Sequence, residues 1–455
     1  MPKIYKNREK ICFVKPGDCG GFTLVEAVVG ATVFMILAMS VYQAYTLTMN
    51  VISLSRLKIT ATALANEQFE ILRNLSYEDV GIVGGLPRGK IPANQTLVRD
   101  GKEFTVKTTI RSIDDPFDGT IGGTPNDTSP ADYKLAELEI NCATCRNFPP
   151  LFITTNIAPK NLESASTNGA LFVKVFDSSG IPISNVNIHI ENKQTIPNFI
   201  IDDTTNNQGL LQIVDAPPGN QAYKISVSKT GYTSERTYPV GDPTNPTPEK
   251  IDATVLNQQL TETSFIIDPV STINITSIGT ACEAIPNINF FLRGTKIIGT
   301  SPIIYKYSAT STTDGSGNFS IKNLDADEYN LIFPSQTYIL AGIIPESIFA
   351  VSPGTTNNLK LIVAPVASSS ILVNVRDVTT GLLLSGANIK LSDATYNTTL
   401  TTTEATDCLA RGQIFFTGLN PGNYNLEISK AGYQTYTTPI DILGSWQQKD
   451  VSLSQ

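Results

Sequence analysis

At 455 residues the chain is too long for one core at about 100 to 200 residues per domain, so several domains are expected. Charged residues make up 16% against about 25% in an average protein, and hydrophobics reach 41%, which excludes a highly charged disordered chain; long Thr, Ser and Asn stretches with 32 Gly and 27 Pro indicate a β-rich, turn-rich exported protein. A formal net charge of -8 with no basic patch after the first fifteen residues excludes nucleic acid as a partner, and a single histidine, His189, removes most acid-base and metal chemistry, so no enzymatic activity is expected.

Residues 1–21 carry Lys3, Lys6, Arg8, Lys10 and Lys15 against Glu9 and Asp18, and end in Gly20-Gly21. An apolar run follows from Phe22 to about Met49, long enough to span a bilayer. In a secretory signal the small-residue cleavage site follows the apolar stretch; here it precedes it, so cleavage leaves the helix on the mature chain. The basic leader stays cytoplasmic by the positive-inside rule, which puts the remainder outside. Glu26 is the one charged residue between Phe22 and Asn50 and, being costly in hydrocarbon, needs a partner or a function. Beyond Asn50, Leu54, Leu57, Ala61, Leu64, Gln68, Ile71 or Leu72, and Leu75 recur at spacings of three and four, and no proline lies between Pro16 and Pro87. One helix over 22–75 is expected, its first half an anchor and its second half packed under a head.

The run Gly21-Phe22-Thr23-Leu24-Val25-Glu26 resembles the prepilin-type motif of type IV pilins and type II secretion pseudopilins. The resemblance implies removal of leader 1–21 by a prepilin peptidase cutting between Gly21 and Phe22, N-methylation of Phe22, and an assembly role for Glu26, which would neutralise the terminal amine of a neighbouring pilin subunit. It also implies a helix followed by a small antiparallel β head over 76–160. Phe104 to Ile110 and Tyr133 to Ile140 alternate apolar with polar as such strands do, and the stretch from Arg88 to Arg111 reads as a hairpin turning at Gly101.

After a Ser, Thr and Asn-rich linker the chain repeats. Ala170 to Asp177, a turn at Gly180, Val186 to Ile190, Pro218-Gly219-Asn220 and Gly231-Tyr232 match Ile371 to Asp377, a turn at Gly381, Ala387 to Leu391, Pro421-Gly422-Asn423-Tyr424 and Gly432-Tyr433. A divergent middle unit offers Ser271 to Ile278, Ile285 to Phe291, Asp314 to Phe319 and Glu328 to Leu331. These units resemble carboxypeptidase-regulatory, prealbumin-like sandwiches. The expected fold is an α+β pilin-like N-terminal part followed by three tandem all-β sandwich modules, over 169–267, 268–365 and 366–455.

Candidate chemistry is sparse. With Cys12 and Cys19 removed in the leader, Cys142 and Cys145 are expected to form a local disulfide in an oxidising compartment, while parity alone allows Cys282 and Cys408 to pair. Asp114, Asp115, Asp118, Asp127 and Asp132 could supply oxygens to calcium or simply serve turns. Asp314 to Asn318 reads as a hairpin, and His189 as a solvated strand residue. Lys174 begins the pattern of an autocatalytic Lys-Asn link, but Asn374 stands in its place in the last unit, against that idea. Tyr305 and Tyr307, or Tyr424, Tyr433 and Tyr436, are candidates for an exposed aromatic row.

The expected protein is a minor type IV pilin-like filament subunit whose modules serve adhesion to a surface glycan or protein. It would be single-pass in the cytoplasmic (inner) membrane before assembly and then at the cell surface in a pilus, with no resident cofactor. The alternatives are a pseudopilin of a type II secretion or DNA-uptake machine, and a membrane-anchored carbohydrate-binding protein.

Overall fold

The computed structural model describes residues 23–455 apart from 161–165, 335–336, 347, 367–368, 407 and 445. Leader 1–21, Gly21 and Phe22 therefore lie outside the described residues. Two compact units form. One contains the helix to Leu75 with 93–108 and 137–155; the other contains 76–92, 109–136 and everything after 156.

In the first unit α1 runs over Leu24–Asn74, about 76 Å at 1.5 Å per residue. It is the one described helix long and apolar enough to cross a membrane. Its character changes along its length as the sequence pattern requires. From Leu24 to Ile52 the large apolar side chains are exposed, whereas Ala61, Leu64, Ala65, Gln68, Phe69 and Leu72 form a buried stripe at spacings of three and four. Polar contacts pin this second half to the strands of the same unit: Arg99 donates to both oxygens of Glu67 at 2.8 and 2.9 Å, Thr60 donates to Asp100 at 3.0 Å, and Arg73 donates to Thr155 at 3.0 Å. Arg73 also pairs with Glu70 in the last turn, where a cation suits the helix dipole.

Strands β1 (Asn94–Arg99), β2 (Lys102–Ile113), β3 (Tyr133–Asn141) and β4 (Leu151–Ile157) are hydrogen-bonded in that order. β1 and β2 are an antiparallel hairpin closed by Asp100 and Gly101, both at positive φ, the geometry that two-residue hairpin turns demand. The hairpin starts at Asn94, later than Arg88, because Gly81 to Ile91 folds into its own tight turn, with Ile82 N donating to Pro87 O and Ile91 N to Gly81 O.

The second unit carries three seven- or eight-stranded sandwiches. In the first, Gly169–Phe176 lies between Leu260–Ile266 and Leu210–Ala216, and the other sheet runs Glu235–Arg236, Gly219–Ser228, Asn187–Asn192, Phe199–Thr204, with Ala253–Val255 on Gly219–Ser228. The middle one sets Asn318–Leu324, Ser271–Gly279, Thr356–Pro365 and Tyr338–Ile344 with Ser308–Thr312, Asn289–Gly294, Asp327–Ile332 and Phe349–Val351; a short separate hairpin, Ile297–Thr300 with Ile303–Tyr305, projects beside it. The last sets Gln413–Leu419, Ser369–Asp377 and Gln447–Leu453 with Asn397–Thr401, Asn388–Ser392, Gly422–Ser429 and Tyr436–Ile442. Inward residues of both sheets make each core, as with Val173, Val175, Ile188, Ile190, Tyr223 and Ile225 in the first.

The repeat is physical as well as textual. In every unit the first strand pairs in parallel with the last. A buried threonine, Thr205, Thr313 or Thr402, accepts a hydrogen bond from a backbone N–H, that of Val186, Ile288 or Ala387, at 2.9 to 3.0 Å. The hydroxyls of Tyr329 and Tyr424 donate to the carbonyls four residues back, at Asp325 and Asn420, and Tyr223 donates to Pro217 O. Gly209, Gly317 and Gly412 have positive φ and accept from the first strand at Val175, Ser277 and Val375. A Cβ at Gly209 would sit 2.5 Å from Val175 O, so glycine is required there.

Two expectations are corrected. The middle unit's second strand is Asn289–Gly294 and does not begin at Ile285, because Gly279 N donates to Glu283 O and positive-φ Cys282 and Asn287 turn the chain first. Asp314 to Asn318 is not a hairpin: its flanking strands belong to different sheets, and Asp314 Oδ1 caps the crossing by accepting from Ser316 N and Asn318 N at 2.8 Å.

Long-range contacts join the parts of this unit. Arg111 grips Asp203 through Nε at 2.6 Å, and Ile121 packs with Ala170 and Val214, so the head expected over 76–160 is shared between the two units. Lys306 pairs with both Glu235 and Asp325 across the first and middle sandwiches. Between the middle and last sandwiches, Gln413 bonds both backbone groups of Ile343 at 3.0 and 3.1 Å, Trp446 Nε1 donates to Leu340 O at 2.7 Å, and Cys282 is bonded to Cys408.

Candidate functional site

The start of α1 is a capping box. Thr23 Oγ1 accepts from Glu26 N at 3.2 Å, and Glu26 Oε2 accepts from Thr23 N at 3.0 Å and Thr23 Oγ1 at 2.9 Å. Glu26 therefore has a local partner within one chain, which satisfies two groups the helix terminus would otherwise leave orphaned. The Thr-x-x-Glu spacing that announces it was present in the sequence beside the motif at Gly21 and Phe22, which lie outside the described residues.

Cys142 and Cys145 are bonded, with Cα atoms 5.3 Å apart, at the turn after β3. Four carboxylates of the aspartate loop accept from backbone N–H groups of the same loop. Asp114 accepts from Ile121 N at 2.9 Å, Asp115 from Phe117 N at 3.1 Å, Asp127 from Ser129 N at 2.8 Å and Asp132 from Asp115 N, while Asp118 is exposed. Among the described residues no group of three or more His, Cys, Asp or Glu is placed to hold a metal ion. One oxygen of each of Asp114, Asp115, Asp127 and Asp132 thus serves the backbone of the loop, a role such residues commonly take. Burial, with a smaller push from Asp127, Asp132 and Asp118, raises the Asp114 carboxyl above its ordinary value.

Neither aromatic row is assembled. Tyr305 lies under the Arg293 guanidinium at 4.4 Å, Tyr307 packs edge-on to Tyr329, Tyr424 packs edge-on to Tyr396, and Tyr433 donates to Asp377 at 2.7 Å, which holds that carboxyl below its usual range. These rings lock the sandwiches instead of presenting a platform. His189 is half exposed, with Nδ1 2.6 Å from Asp202 across the strand pair. Lys174 forms an ion pair with Glu262 at 2.7 Å, and at the matching place Asn374 donates to Asp450 at 2.7 Å, so first and last strands are tied by a charge pair in one module and an amide-carboxylate pair in another.

Sequence reading missed the groups held by distant partners. Lys134 is buried and donates to the carbonyls of Tyr77, at 2.7 Å, and Val80, at 2.6 Å, and desolvation lowers its pKa. Arg111 with Asp203 and Lys306 with its two acids belong to the same category.

Residues 369–453 match the family described as "SpaA: Prealbumin-like fold domain", so the last module is a prealbumin-like sandwich. Comparison with the curated proteins yields no match. Among solved structures the chain is similar to the Bacillus anthracis TIE protein, at 14% identity and TM-score 0.20, covering 80% of this chain and 61% of that one. It is also similar to the Streptococcal ancillary pilin, at 13% identity and TM-score 0.19, covering 63% of this chain and 99% of that one. The shaft pilin SpaA from Lactobacillus rhamnosus GG matches at 12% identity and TM-score 0.17, over 41% of this chain and 97% of that one. The chain thus spans about three fifths of the length of the first of these relatives.

Proposed function

We propose that the chain is a minor type IV pilin-like filament subunit that carries its sandwiches outward as adhesive or surface-binding modules, acting by assembly and contact and not by catalysis. The observation that carries the reading is the division within α1: an exposed apolar half that starts at a capped Glu26, then a half whose buried stripe underlies a small sheet. An exposed apolar half needs lipid or the helices of neighbouring subunits around it. On this reading a prepilin peptidase cuts after Gly21, the subunit waits as a single-pass protein in the cytoplasmic membrane, and the terminal amine of one subunit meets Glu26 of another in the filament. The prealbumin-like match over 369–453 supports a display role for the modules.

The test is Glu26→Ala beside a truncation removing 271–455. The first sandwich is retained because Arg111, Leu86 and Ile121 pack against it. Glu26→Ala should insert in the membrane yet enter sheared filaments poorly; the truncation should enter normally and adhere less. Normal incorporation of Glu26→Ala removes the assembly role, and loss of incorporation with adhesion intact in the truncation reverses the division of labour.

A further inference from the structure

A cleft of about 680 Å³ opens between the first and middle sandwiches. One wall is Arg236, Tyr238, Lys250 and Ile266; the other is the projecting hairpin with Lys296 and Ile298. Lys306, also in the lining, is more than matched by its two partners Glu235 and Asp325, and the lining includes the exposed Glu249. Among the described residues three cations of the lining, Arg236, Lys250 and Lys296, form no ion pair with a carboxylate. Arg236 stacks on Tyr238 at 4.6 Å, Lys250 lies 3.8 Å from the centre of the Phe265 ring and donates only to Ser264 O, and Lys296 is held through its backbone N–H by Asp327 at 3.0 Å, so its ammonium is left unpaired. Desolvation lowers the Lys250 pKa and outweighs the opposing pull of Glu235, which lines the same cleft but makes its ion pair with Lys306. In a chain of net charge -8 this concentration of unmatched cations calls for an anion.

The lining also says what kind. Aliphatic walls beside the hydroxyls of Ser264 and Tyr238 suit a sugar ring, which offers a C–H face and a hydroxyl edge. Glu249 and the acidic surroundings of Lys306 would repel a densely charged polyphosphate but tolerate one charge per sugar. We propose that this cleft binds a carboxylated glycan, with Lys250 and Lys296 receiving uronate carboxylates and the isoleucine walls receiving the ring faces. The inference rests on the reading of the modules as binding surfaces and names their ligand class.

The test titrates the full chain in detergent micelles with oligogalacturonate, with the neutral galactose oligomer and poly-glutamate for comparison. Oligogalacturonate should bind, more weakly as ionic strength rises; the neutral oligomer and poly-glutamate should bind at least about tenfold more weakly, since each lacks half of the recognition. Lys250→Met combined with Lys296→Gln should lose about tenfold or more, the worth of one charge-assisted hydrogen bond. Lys296→Glu, at a side chain with no structural partner, should lose as much if the double variant fails to fold, and exposed Lys322→Gln should change nothing. No binding at low salt, binding indifferent to the cleft variants, or equal binding of poly-glutamate overturns the proposal. Filament incorporation scored on the same variants keeps the two readings apart: a failed titration leaves the assembly reading standing, and failed assembly of the parent chain leaves the cleft measurement intact.

Discussion

Thr402→Val would probe the repeated buried threonine at its cleanest instance. Thr402 Oγ1 accepts from Ala387 N at 2.9 Å and donates to Leu384 O at 2.7 Å in a site with 2% exposure. Valine keeps the shape but leaves one N–H and one carbonyl without that partner. Each orphan costs about 1.4 kcal/mol, toward the low end of the usual range of about 1 to 3, and the added methyl returns about 0.8 kcal/mol, so a net loss of about 2 kcal/mol is expected. In hydrogen exchange on the full chain in detergent, peptides of the last sandwich spanning Ala387 should lose about 30-fold in protection, 1.4 kcal/mol being a factor of ten. The neighbouring Thr401→Val, whose exposed hydroxyl bonds only the Asn388 side chain, should stay within about 0.5 kcal/mol of the parent. Equal effects of the two substitutions, or none, would refute the argument that the two backbone hydrogen bonds of this buried threonine stabilise the sandwich.

Because Cys282 and Cys408 are bonded, one proteolytic cut anywhere between residues 283 and 407 should leave both fragments in one band on a non-reducing gel and separate them on reduction; separation without reductant contradicts the staple. Asp252 is a buried acid of the first sandwich, accepting from the Thr237 hydroxyl at 2.5 Å, and desolvation raises its pKa above the ordinary value of 3.8. The folded state then binds its proton more tightly than the unfolded one, so the penalty is fully present at neutral pH and is relieved as pH falls through the raised value. Asp252→Asn should therefore flatten the pH dependence of protection in that sandwich over this window; an unchanged slope would place the pH dependence elsewhere.

What could be read from the sequence was what is local. The apolar run and the three-four spacing gave α1, whose ends at Leu24 and Asn74 lie within two residues of expectation. Alternation from Tyr133 gave β3, and self-similarity gave the first and last sandwiches, with strands at Gly169–Phe176 and Ser369–Asp377 on the matched segments. The middle sandwich was blurred because left-handed turns at Cys282 and Asn287 break its pattern without glycine. The aspartate loop stayed ambiguous in the sequence because carboxylates that cap turns and carboxylates that hold calcium have the same composition. The cleft was illegible for a different reason: Lys250 and Lys296 stand on separate sandwiches, and only the packing of the hairpin at Ile297–Thr300 beside the first module brings them together.

The central claim concerns the start of the mature chain, and one measurement reaches it: the intact mass and N-terminal fragment spectrum of the chain recovered from filaments sheared off the cell surface. The account predicts a single N-terminus at Phe22, carrying a methyl group on its amine, with α1 entire behind it. A chain that begins at Met1, or that has lost the apolar half of α1, or that is absent from the filament fraction while abundant in the membrane, would contradict it.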